Sequence, residues 1–338
     1  MATTPQTNAT LQQIACELRR RDDFVICGHV SPDGDCIGSQ LALMHALRSL
    51  GKTVACVLAE EGSVDAGLSY LPGFDELVPA SRFDGPAEVF IGVDVPTVQR
   101  IGDAAALHEA AAFAVTIDHH ACDTAMAQMV HVDPDAASCS LLVWQLASHL
   151  MEERTPEVAQ CAYTGLITDT GRFQFQNTDA RALQAAAEMV AAGADPALAA
   201  REVFQNRSLA SIGLEARAIQ RMRFGASGQA VISWVALEDF EELGAVKADA
   251  EPLIDVLRSA RGVRIACMLR EQGDAIRGSF RAKDDTDVSA LARSYGGGGH
   301  RAAAGFTLHG DLHAAVDEVL SAMEGLLAAA GASDGQEG

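Results

Sequence analysis

Short apolar runs alternate with helical patterns along the first part of the chain. Four runs are apolar at consecutive positions, as in strands buried on both faces of a sheet, and they lie at 24–30, 52–58, 88–94 and 113–120. The stretches 11–21 and 37–50 are typical of helices. Strands that alternate with helices predict an α/β domain with a parallel sheet and helices on both faces.

The rest of the chain changes pattern twice. Residues 138–223 are mostly helical and rich in alanine. A second alternation begins near Gly228, with strands predicted at 229–237, 263–271, 275–282 and 302–310 and helices at 288–295 and 312–327. We therefore expect an N-terminal parallel-sheet domain at 11–185, a helical connector at 186–225, a smaller C-terminal α/β domain at 226–328, and disordered tails at 1–10 and 329–338.

Polar residues follow three of the apolar strands at the point where each strand ends. His29 comes after the first strand, Asp94 after the third, and Asp118, His119 and His120 after the fourth. Sites in open α/β sheets lie outside the carboxyl ends of the strands. The sequence therefore predicts a functional site at one edge of the sheet.

Further carboxylates extend this set. Asp33 and Asp35 closely follow His29, and the glycine between them allows the chain to bend so that both carboxylates converge. Asp169 lies in the segment GLITDTGRFQF. Each has an ordinary structural alternative, because D-G-D is a common turn and Asp94 and Asp169 are suitable helix caps. The adjacent histidines are a rarer pattern. They could form a solvated turn, but the carboxylate of Asp118 beside them is the kind of group that orients a ligating histidine ring.

Together these residues form a candidate metal cage. Its proposed ligands are His29, Asp33, Asp35, Asp94, His119 and Asp169. Carboxylates with imidazoles and without paired thiolates suit Mn²⁺ or Mg²⁺ better than a structural zinc ion. Cys36 lies inside the first motif, where we expect it to pack rather than to bind metal. Two such ions would lie about 3.5–4 Å apart and clamp the attacking and leaving oxygens of a displacement.

Charge and cysteine content narrow the classes of partner. The 338 residues include 46 acidic and 25 basic residues, which gives a formal net charge of −21. So acidic a chain repels long nucleic acid, whereas a small anion can bind at a local positive site such as a bound cation. The eight cysteines are scattered without a C-x-x-C pair, which indicates free thiols in a reducing compartment. A polar first segment and the lack of a membrane-length apolar run predict a cytoplasmic protein with no membrane partner.

The motifs, taken in order, resemble those of the DHH phosphoesterases. The matching residues are His29-Val30-Ser31-Pro32-Asp33-Gly34-Asp35, Val93-Asp94, Asp118-His119-His120 and Thr168-Asp169-Thr170-Gly171. The run Gly296–His300, followed by Ala302–Phe306, resembles the signature of the C-terminal domain associated with this family. The resemblance spans about residues 20–310.

The resemblance implies a role for each matching residue. The implied arrangement has one ion held by His29 and Asp33, a second held by Asp35, His119 and Asp169, and both bridged by Asp94. His120 is expected near the substrate phosphate, as a phosphate ligand or as the acid for the leaving group, with Asp118 as its support. The implied cofactors are two Mn²⁺ ions, with Mg²⁺ or Co²⁺ as alternatives. Relatives often have a glutamate where this chain has Leu141, a difference that leaves all six proposed ligands intact.

The C-terminal domain contributes candidate substrate contacts. Its glycine run is either a flexible loop or a close backbone approach whose amides face an anion. Arg277, Arg281 and Lys283 are spaced to share one strand face, which is either a basic binding surface or an ordinary solvated face. The resemblance implies that the nucleotide end of the substrate lies in a cleft between the domains, against Ser279, Arg281, Gly297, Gly298, Gly299, His300 and Arg301.

Length and the C-terminal signature favour one branch of the family. We expect no extra nucleic-acid-binding domain of the RecJ type, and family II pyrophosphatases lack the glycine–histidine signature. The chain most resembles the compact NrnA-like oligoribonucleases (nanoRNases), which release mononucleotides from short RNAs and often remove the 3′-phosphate of 3′-phosphoadenosine 5′-phosphate. Alternatives are a linear dinucleotide (pApA or pGpG) phosphodiesterase, an exopolyphosphatase and a non-catalytic nucleotide sensor. The expected partners are short RNA and small nucleotides, and dimerisation is common among relatives.

Overall fold

The structure is a computed structural model that describes residues 4, 6–62 and 64–334. The chain divides into two compact units, Met1–Asn206 and Arg207–Gly338. This division falls inside the segment for which the sequence predicts a helical connector. Of the two predicted tails, residues 1–3, 5 and 335–338 lie outside the described residues.

The first unit contains a six-stranded sheet in which all neighbouring strands are parallel. Its strands are β1 (Phe24–Cys27), β2 (Val54–Leu58), β3 (Val78–Pro79), β4 (Val89–Val93), β5 (Phe113–Asp118) and β6 (Met129–Val132). Their order across the sheet is β3-β2-β1-β4-β5-β6. The four predicted strands are β1, β2, β4 and β5, so the predicted parallel sheet is confirmed. The sequence prediction missed the two edge strands, β3 and β6.

Helices cover both faces of this sheet. They are α1 (Leu11–Leu18), α2 (Gly34–Arg48), α3 (Ala105–Ala110), α4 (Cys139–Leu150), α5 (Pro156–Asp169), α6 (Ala180–Ala191) and α7 (Pro196–Ala199). Successive side chains of a strand point to opposite faces. Phe24 and Ile26 of β1 therefore join the core that contains α1, α2, α4, α5 and α6, whereas Val25 and Cys27 join the core on the α3 side. Burial on both faces explains why these strands are continuously apolar.

Helices α2 and α5 approach each other closely at two glycines of α2. A Cβ atom at Gly38 would lie 2.6 Å from the carbonyl oxygen of Cys161, and one at Gly34 would lie 2.5 Å from the Thr168 side chain. Real Cβ atoms do not approach backbone or side-chain atoms this closely, so only glycine fits without a shift of the helices. The contact brings the first turn of α2 beside the last turn of α5, and each turn carries a candidate metal ligand.

The segment before α1 covers the outer edge of β6. The N–H groups of Asn8 and Ala9 donate to the carbonyl oxygen of Val130, at 3.0 and 3.2 Å. The Asn8 side chain accepts from the Val130 N–H at 2.8 Å, and Thr7 Oγ1 accepts from the Val132 N–H at 3.0 Å. The sequence places these residues in a disordered tail, but the structure holds them against β6 because their side chains satisfy the edge of the sheet.

The second unit has a smaller α/β fold around a mixed six-stranded sheet. Its strands are β7 (Arg223–Gly225), β8 (Ala230–Val235), β9 (Ile265–Gln272), β10 (Ala275–Ala282), β11 (Gly298–His300) and β12 (Ala303–His309), in the order β11-β12-β10-β9-β8-β7. Strands β8 and β9 are parallel and all other neighbours are antiparallel. The predicted strands β8, β9, β10 and β12 are confirmed. The prediction missed β7 and also β11, which lies inside the glycine run.

Helices also pack on both faces of the second sheet. They are α8 (Leu209–Gln220), α9 (Leu237–Leu243), α10 (Leu253–Ser259), α11 (Val288–Ser294) and α12 (Leu312–Asp334). In β9, Cys267 and Leu269 join the core with α11 and α12, whereas Ala266 and Met268 join the core with α8 and α10. Helix α12 continues past the predicted start of the C-terminal tail. Within the described residues, no helix has both the length and the apolar character needed to cross a bilayer.

We expect Gly38→Ala to lower the free energy of unfolding by about 1–3 kcal/mol, because the added methyl group overlaps the backbone of α5. Gly325→Ala in α12 is the matched control, since a Cβ at Gly325 meets nothing within 4 Å. That change should be neutral or stabilising by up to about 1 kcal/mol, because alanine favours the helix. Urea denaturation followed by circular dichroism measures both. Equal stability of the two variants would contradict the close α2–α5 contact.

Candidate metal centre

The candidate ligands of the first unit lie at the carboxyl ends of neighbouring strands and at two helix ends. His29 follows β1, Asp94 follows β4 directly, and His119 follows β5. Asp33 caps α2, Asp35 lies in its first turn, and Asp169 is the last residue of α5. The six candidate ligands predicted from the sequence are therefore brought to one edge of the sheet.

Asp94 is the central carboxylate of this group. It is 1% exposed, and its Oδ2 atom lies 3.4 Å from Nε2 of His29. Its Oδ1 atom lies 3.4 Å from Nε2 of His119 and 3.4 Å from Nδ1 of His120. The backbone of Asp94 has a φ of 55°, in the left-handed region that non-glycine residues rarely adopt. Such strain is common at functional sites, and here it accompanies a carboxylate whose two oxygens face different histidines.

The remaining candidate ligands form two groups around Asp94. The ligand atoms of Asp35, His119 and Asp169 lie within 4.8 Å of one another. Nε2 of His119 is 3.8 Å from an oxygen of Asp35 and 3.8 Å from an oxygen of Asp169. On the other side, Nε2 of His29 is 3.9 Å from Oδ1 of Asp33. Bonds of about 2.1 Å to one ion place neighbouring ligand atoms about 3 Å apart, so small inward movements would suffice for coordination.

Backbone carbonyl groups set the orientation of two imidazoles. Nδ1 of His29 lies 2.8 Å from the carbonyl oxygen of Val30, and Nδ1 of His119 lies 3.2 Å from that of Ala136. A carbonyl oxygen only accepts hydrogen bonds, so we assign the ring proton to Nδ1 in both residues. In the neutral ring, each Nε2 atom then directs a lone pair at the carboxylates, as a metal ligand requires.

Asp35 is fixed by the amino end of α4. Its Oδ2 accepts from the N–H of Cys139 at 2.6 Å, and its Oδ1 accepts from the N–H of Ser140 at 2.8 Å. The first N–H groups of a helix have no partner within the helix, and they favour a negative charge nearby. These bonds hold the buried carboxylate in one orientation, while each oxygen keeps a second lone pair. The sequence did not reveal this contact because it is made by backbone groups.

Asp33 and Cys36 take less central positions. The Asp33 side chain is exposed, and its Oδ1 accepts from the N–H groups of Asp35 and Cys36, both at 3.0 Å. Asp33 therefore caps helix α2 and also lies close to His29. The Cys36 thiol is fully buried close to His29 and Asp94. Burial, followed by the charges of Asp94 and Asp33, raises its pKa well above the usual value, so the thiol stays protonated at neutral pH.

Asp118 orients the second histidine of the motif. Its buried Oδ1 accepts from the N–H groups of His119 and His120, at 2.7 and 3.1 Å. It also lies 2.8 Å from Nδ1 of His120. Burial lowers the pKa of His120, but the hydrogen bond and charge of Asp118 outweigh it, and the net shift is upward. Asp118 thus fixes the ring of His120 and favours its protonated form.

The cluster shares protons because its charges repel one another in a buried place. Burial and the charges of Asp94 and Asp169 raise the pKa of Asp35 well above its usual value. Burial raises the pKa of Asp169 to about 7. Burial would also raise the pKa of Asp94, but the imidazoles of His119 and His29, each 3.4 Å from one of its oxygens, hold it well below the usual range. Correspondingly, the pKa of His29 rises to about 9 against the effect of burial. The cluster therefore needs positive charge, from protons or from cations.

The donor set fits divalent cations that prefer oxygen and nitrogen ligands. Oδ1 of Asp94 is buried and makes no hydrogen bond within the described residues. A buried carboxylate oxygen without a partner is costly, and a cation between Asp94 and the two histidines would satisfy it. Four carboxylates and two imidazoles without a thiolate suit Mn²⁺ or Mg²⁺.

Two rows of residues cross the second sheet near the glycine run. In the first row, Gly298 of β11 pairs with Gly305 of β12, which pairs with Ser279 of β10. The next row on the same face contains positions 300, 303 and 281. The central strand contributes only glycine and alanine to these rows, and Nη2 of Arg277 lies over Gly305, 2.8 Å from where a Cβ atom would be. The predicted substrate-binding residues of β10 and β11 therefore flank a strand of small residues.

Close backbone approach explains the glycine run. A Cβ at Gly297 would lie 2.1 Å from the carbonyl oxygen of Gly305, and one at Gly299 would lie 2.6 Å from that of Ala303. Gly299 also has a φ of 142°. The run is thus part of the sheet rather than the flexible loop that the sequence allowed. Arg301, the last predicted contact, donates from Nε to the carbonyl oxygen of Asp285 at 2.7 Å.

Arginines of β9 and β10 meet on this face. Arg281 is partly buried, and Nη1 donates to the carbonyl oxygen of Phe280 at 3.0 Å. Burial, together with the nearby cations of Arg258 and Arg270, lowers the pKa of Arg281. Arg270, which the sequence analysis missed, is 5% exposed and donates to Ser279 Oγ at 3.3 Å. The predicted basic face is therefore partly buried rather than simply solvated. Lys283 lies beyond β10, with Nζ 2.8 Å from the carbonyl oxygen of Ala260.

Comparison with known proteins identifies the family. Residues 23–166 match the DHH family N-terminal domain, and residues 228–329 match the DHHA1 domain. The chain is 31% identical over 307 residues to the bifunctional oligoribonuclease and PAP phosphatase NrnA of Thermus thermophilus, covering 90% of each chain. The chain belongs to the DHH family. The NrnA of Bacillus subtilis, with the same description, is 28% identical over 293 residues and covers 85% of this chain and 90% of its own.

Solved structures of similar fold extend this result. An exopolyphosphatase-related protein from Bacteroides fragilis aligns with a TM-score of 0.86 and 26% identity, over 93% of this chain and 95% of its own. RecJ of Thermus thermophilus in complex with Mn²⁺ aligns with a TM-score of 0.55 and 16% identity, over 97% of this chain and 55% of its own. The RecJ likeness shows a shared fold.

One residue departs from the pattern expected of DHH relatives. Leu141, where a glutamate was expected, is fully buried in the core of the first unit and donates its N–H to Ser138 Oγ at 3.0 Å. It follows the two residues whose N–H groups bind Asp35. The site in this DHH protein therefore has an apolar side chain, rather than a further carboxylate, behind the amino end of α4.

We expect Asp94→Asn to abolish high-affinity Mn²⁺ binding by this DHH protein, because the central carboxylate serves both ligand groups. Isothermal titration calorimetry of metal-free protein should show two Mn²⁺ per wild-type chain. Thermal denaturation gives a second measurement, since each Mn²⁺ site at 100 times its Kd should stabilise the wild type by about 2.7 kcal/mol. Glu109→Gln, an exposed acidic position on α3, is the control and should bind as wild type. Unchanged binding by Asp94→Asn would refute this central role.

Proposed function

We propose that this protein uses two divalent cations, Mn²⁺ by preference, to hydrolyse phosphoesters in short oligoribonucleotides from an end, releasing mononucleotides. We further propose that it removes the 3′-phosphate of 3′-phosphoadenosine 5′-phosphate. The observation that carries the proposal is the position of Asp94, whose two oxygens face His29 on one side and His119 on the other. A carboxylate in this position is suited to bridge two cations about 3.5–4 Å apart.

The family supports the reaction class. As a DHH protein with close NrnA relatives, this chain is a phosphoester hydrolase. The Thermus thermophilus relative is described as an oligoribonuclease and PAP phosphatase, and the alignment covers 90% of both chains. Both matched domains are included in it. The substrates of these relatives are therefore the first candidates for this protein.

The residues of the first unit divide the chemical tasks. When bound, the cations supply a nucleophile at neutral pH and neutralise charge that develops on the phosphoryl oxygens. His29, Asp33, Asp35, Asp94, His119 and Asp169 would hold them. His120, fixed by Asp118 with a raised pKa, is placed to donate a proton to the leaving oxygen or a hydrogen bond to a phosphoryl oxygen.

The second unit would bind the nucleotide end of the substrate. Ser279 and Arg281 lie on one face of β10, and the glycine run lies two strands away in the same rows. Within the described residues, Arg281 forms no ion pair with a carboxylate, and its main partner is a backbone carbonyl. A partly buried guanidinium in this state is suited to an anion such as phosphate. Gly297, Gly298, Gly299, His300 and Arg301 complete the proposed contacts.

Net charge favours small substrates. At −21 the chain repels a long polyanion, so affinity must come from the cations and a few arginines. A substrate of a few nucleotides would bring few phosphate charges to this repulsion. Longer RNA adds repulsion without adding contacts.

A second candidate function is exopolyphosphatase activity. The Bacteroides fragilis structure that aligns with a TM-score of 0.86 is described as exopolyphosphatase-related. Polyphosphate is an anion with repeated phosphoryl bonds, which the same cations could cleave. It has no base or ribose, so it would make no use of a nucleotide-binding surface on the second unit.

The decisive experiment is cleavage of a 5′-labelled diribonucleotide with Mn²⁺. We expect the wild type to release mononucleotide, Asp94→Ala to lose activity by at least about a thousandfold, and Glu109→Gln to retain it. Parallel reactions contain 3′-phosphoadenosine 5′-phosphate and polyphosphate. Polyphosphate cleavage without diribonucleotide cleavage would replace the first proposal with the second. If Asp94→Ala keeps wild-type activity, the candidate metal centre is not the active site.

His120→Gln separates proton donation from metal binding. We expect kcat on the diribonucleotide to fall about 10²–10⁴-fold, because glutamine keeps hydrogen bonding but cannot transfer a proton. Mn²⁺ stoichiometry, measured by calorimetry, should remain at two per chain. If Mn²⁺ binding is lost together with activity, His120 would be a metal ligand rather than a catalytic acid.

A further inference from the structure

The loop between β6 and α4, residues 133–138, lies beside the ligand group of Asp35, His119 and Asp169. It supplies the carbonyl oxygen of Ala136, which orients His119. It also leads into the amino end of α4, whose N–H groups at Cys139 and Ser140 hold Asp35. Two ligands of the same ion therefore depend on where this loop lies, although the loop itself carries no proposed ligand.

Asp133 anchors the loop at its start. It is fully buried, and its N–H donates to the carbonyl oxygen of Asp118 at 3.1 Å. Its own carbonyl oxygen accepts from the N–H of Ala136 at 3.0 Å, and its Oδ1 accepts from the N–H of Asp135 at 3.2 Å. One residue thus connects the end of β5, which carries the histidine pair, with the carbonyl group that orients His119.

Arg181 of α6 compensates the buried charge of Asp133. Its Nη2 donates to Oδ2 of Asp133 at 2.9 Å. The Asp133 side chain is completely shielded, whereas that of Arg181 is 28% exposed. Breaking a buried pair leaves an uncompensated charge, which would favour movement of the loop toward solvent. The arginine is the safer member of the pair to change, because its removal leaves no cavity in the core.

Asn177 connects the same loop to the third ligand of this ion. Its Nδ2 donates to the carbonyl oxygen of Ala137 at 2.9 Å and to that of Asp169 at 3.1 Å. The side chain therefore bridges the loop and the end of α5. The loop therefore contacts His119 directly and Asp169 through Asn177, and the two residues that follow it in the chain bind Asp35.

We propose that Arg181 and Asn177, through Asp133 and the 133–138 loop, are positioning residues that set the affinity of the ion bound by Asp35, His119 and Asp169. This inference rests on the proposed two-cation function. Neither residue is itself a proposed ligand, and their contacts are with Asp133 and with the carbonyl oxygens of Ala137 and Asp169. Their effect is to hold Asp35, His119 and Asp169 at the separations that coordination requires. Backbone groups of the loop and of α4 hold Asp35 and His119.

The test is titration of metal-free Arg181→Gln and Asn177→Ala with Mn²⁺ by calorimetry. We expect one of the two ions to bind about 10–100-fold more weakly in each variant, with the other ion much less affected. Arg181→Lys keeps the charge and one donor, so its affinity should lie between those of wild type and Arg181→Gln. Circular dichroism confirms that each variant is folded.

Arg154→Gln is the matched control. Arg154 forms an ion pair with Glu188 of the same helix α6 at 3.4 Å, and its side chain is 23% exposed. It has no hydrogen bond to the 133–138 loop among the described contacts. We expect Arg154→Gln to bind both Mn²⁺ ions with wild-type affinity, although it too loses an arginine that contacts α6.

Two outcomes would overturn the inference. The first is wild-type affinity for both ions in Arg181→Gln and Asn177→Ala. The second is equal weakening of both ions in these variants and in Arg154→Gln, which would indicate a general loss of stability. Failure of the proposed function is distinguishable, because then the wild type itself would bind no Mn²⁺ or would bind it without cleaving a phosphoester.

Discussion

Several like charges in one buried place are the constraint on which the first unit depends. Asp35, Asp94 and Asp169 converge with the exposed Asp33 beside them, and a low-dielectric site cannot hold that much negative charge without compensation. In the absence of cations the compensation comes from protons, as the raised pKa values of Asp35, Asp169 and His29 show. A pair of divalent cations would supply the same compensation and leave all ligands in their charged or lone-pair forms.

The fold brings these groups together by means that are individually ordinary. Parallel strands end at one edge, glycines allow α2 and α5 to touch, and the amino end of α4 meets Asp35. The left-handed backbone of Asp94 adds local strain, which the packing around it must hold in place. The core is large enough to do so, because the strands that carry the ligands are buried on both faces.

Side-chain chemistry was predictable from the sequence, and backbone chemistry was not. The six candidate ligands form recognisable motifs, and the structure brings all of them to one edge. The carbonyl oxygen of Ala136 and the N–H groups of α4 carry no residue-type signal, so their roles required coordinates. Asn177 and Arg181 lie outside the quoted motifs, and their partners are distant in sequence. Similarly, the glycine run offered no strand pattern, because β11 owes its place to close approach rather than to apolar side chains.

The cover over β6 has a consequence for the behaviour of the chain in solution. An uncovered edge strand is a template for strands of other molecules, and it leads to domain swapping or aggregation. Here Thr7 and Asn8 occupy the hydrogen-bonding groups of that edge with their side chains. The strand they cover leads directly into the 133–138 loop, whose Ala136 carbonyl group orients His119. Cleavage of the chain between Thr7 and α1 would therefore free this edge to pair with another molecule.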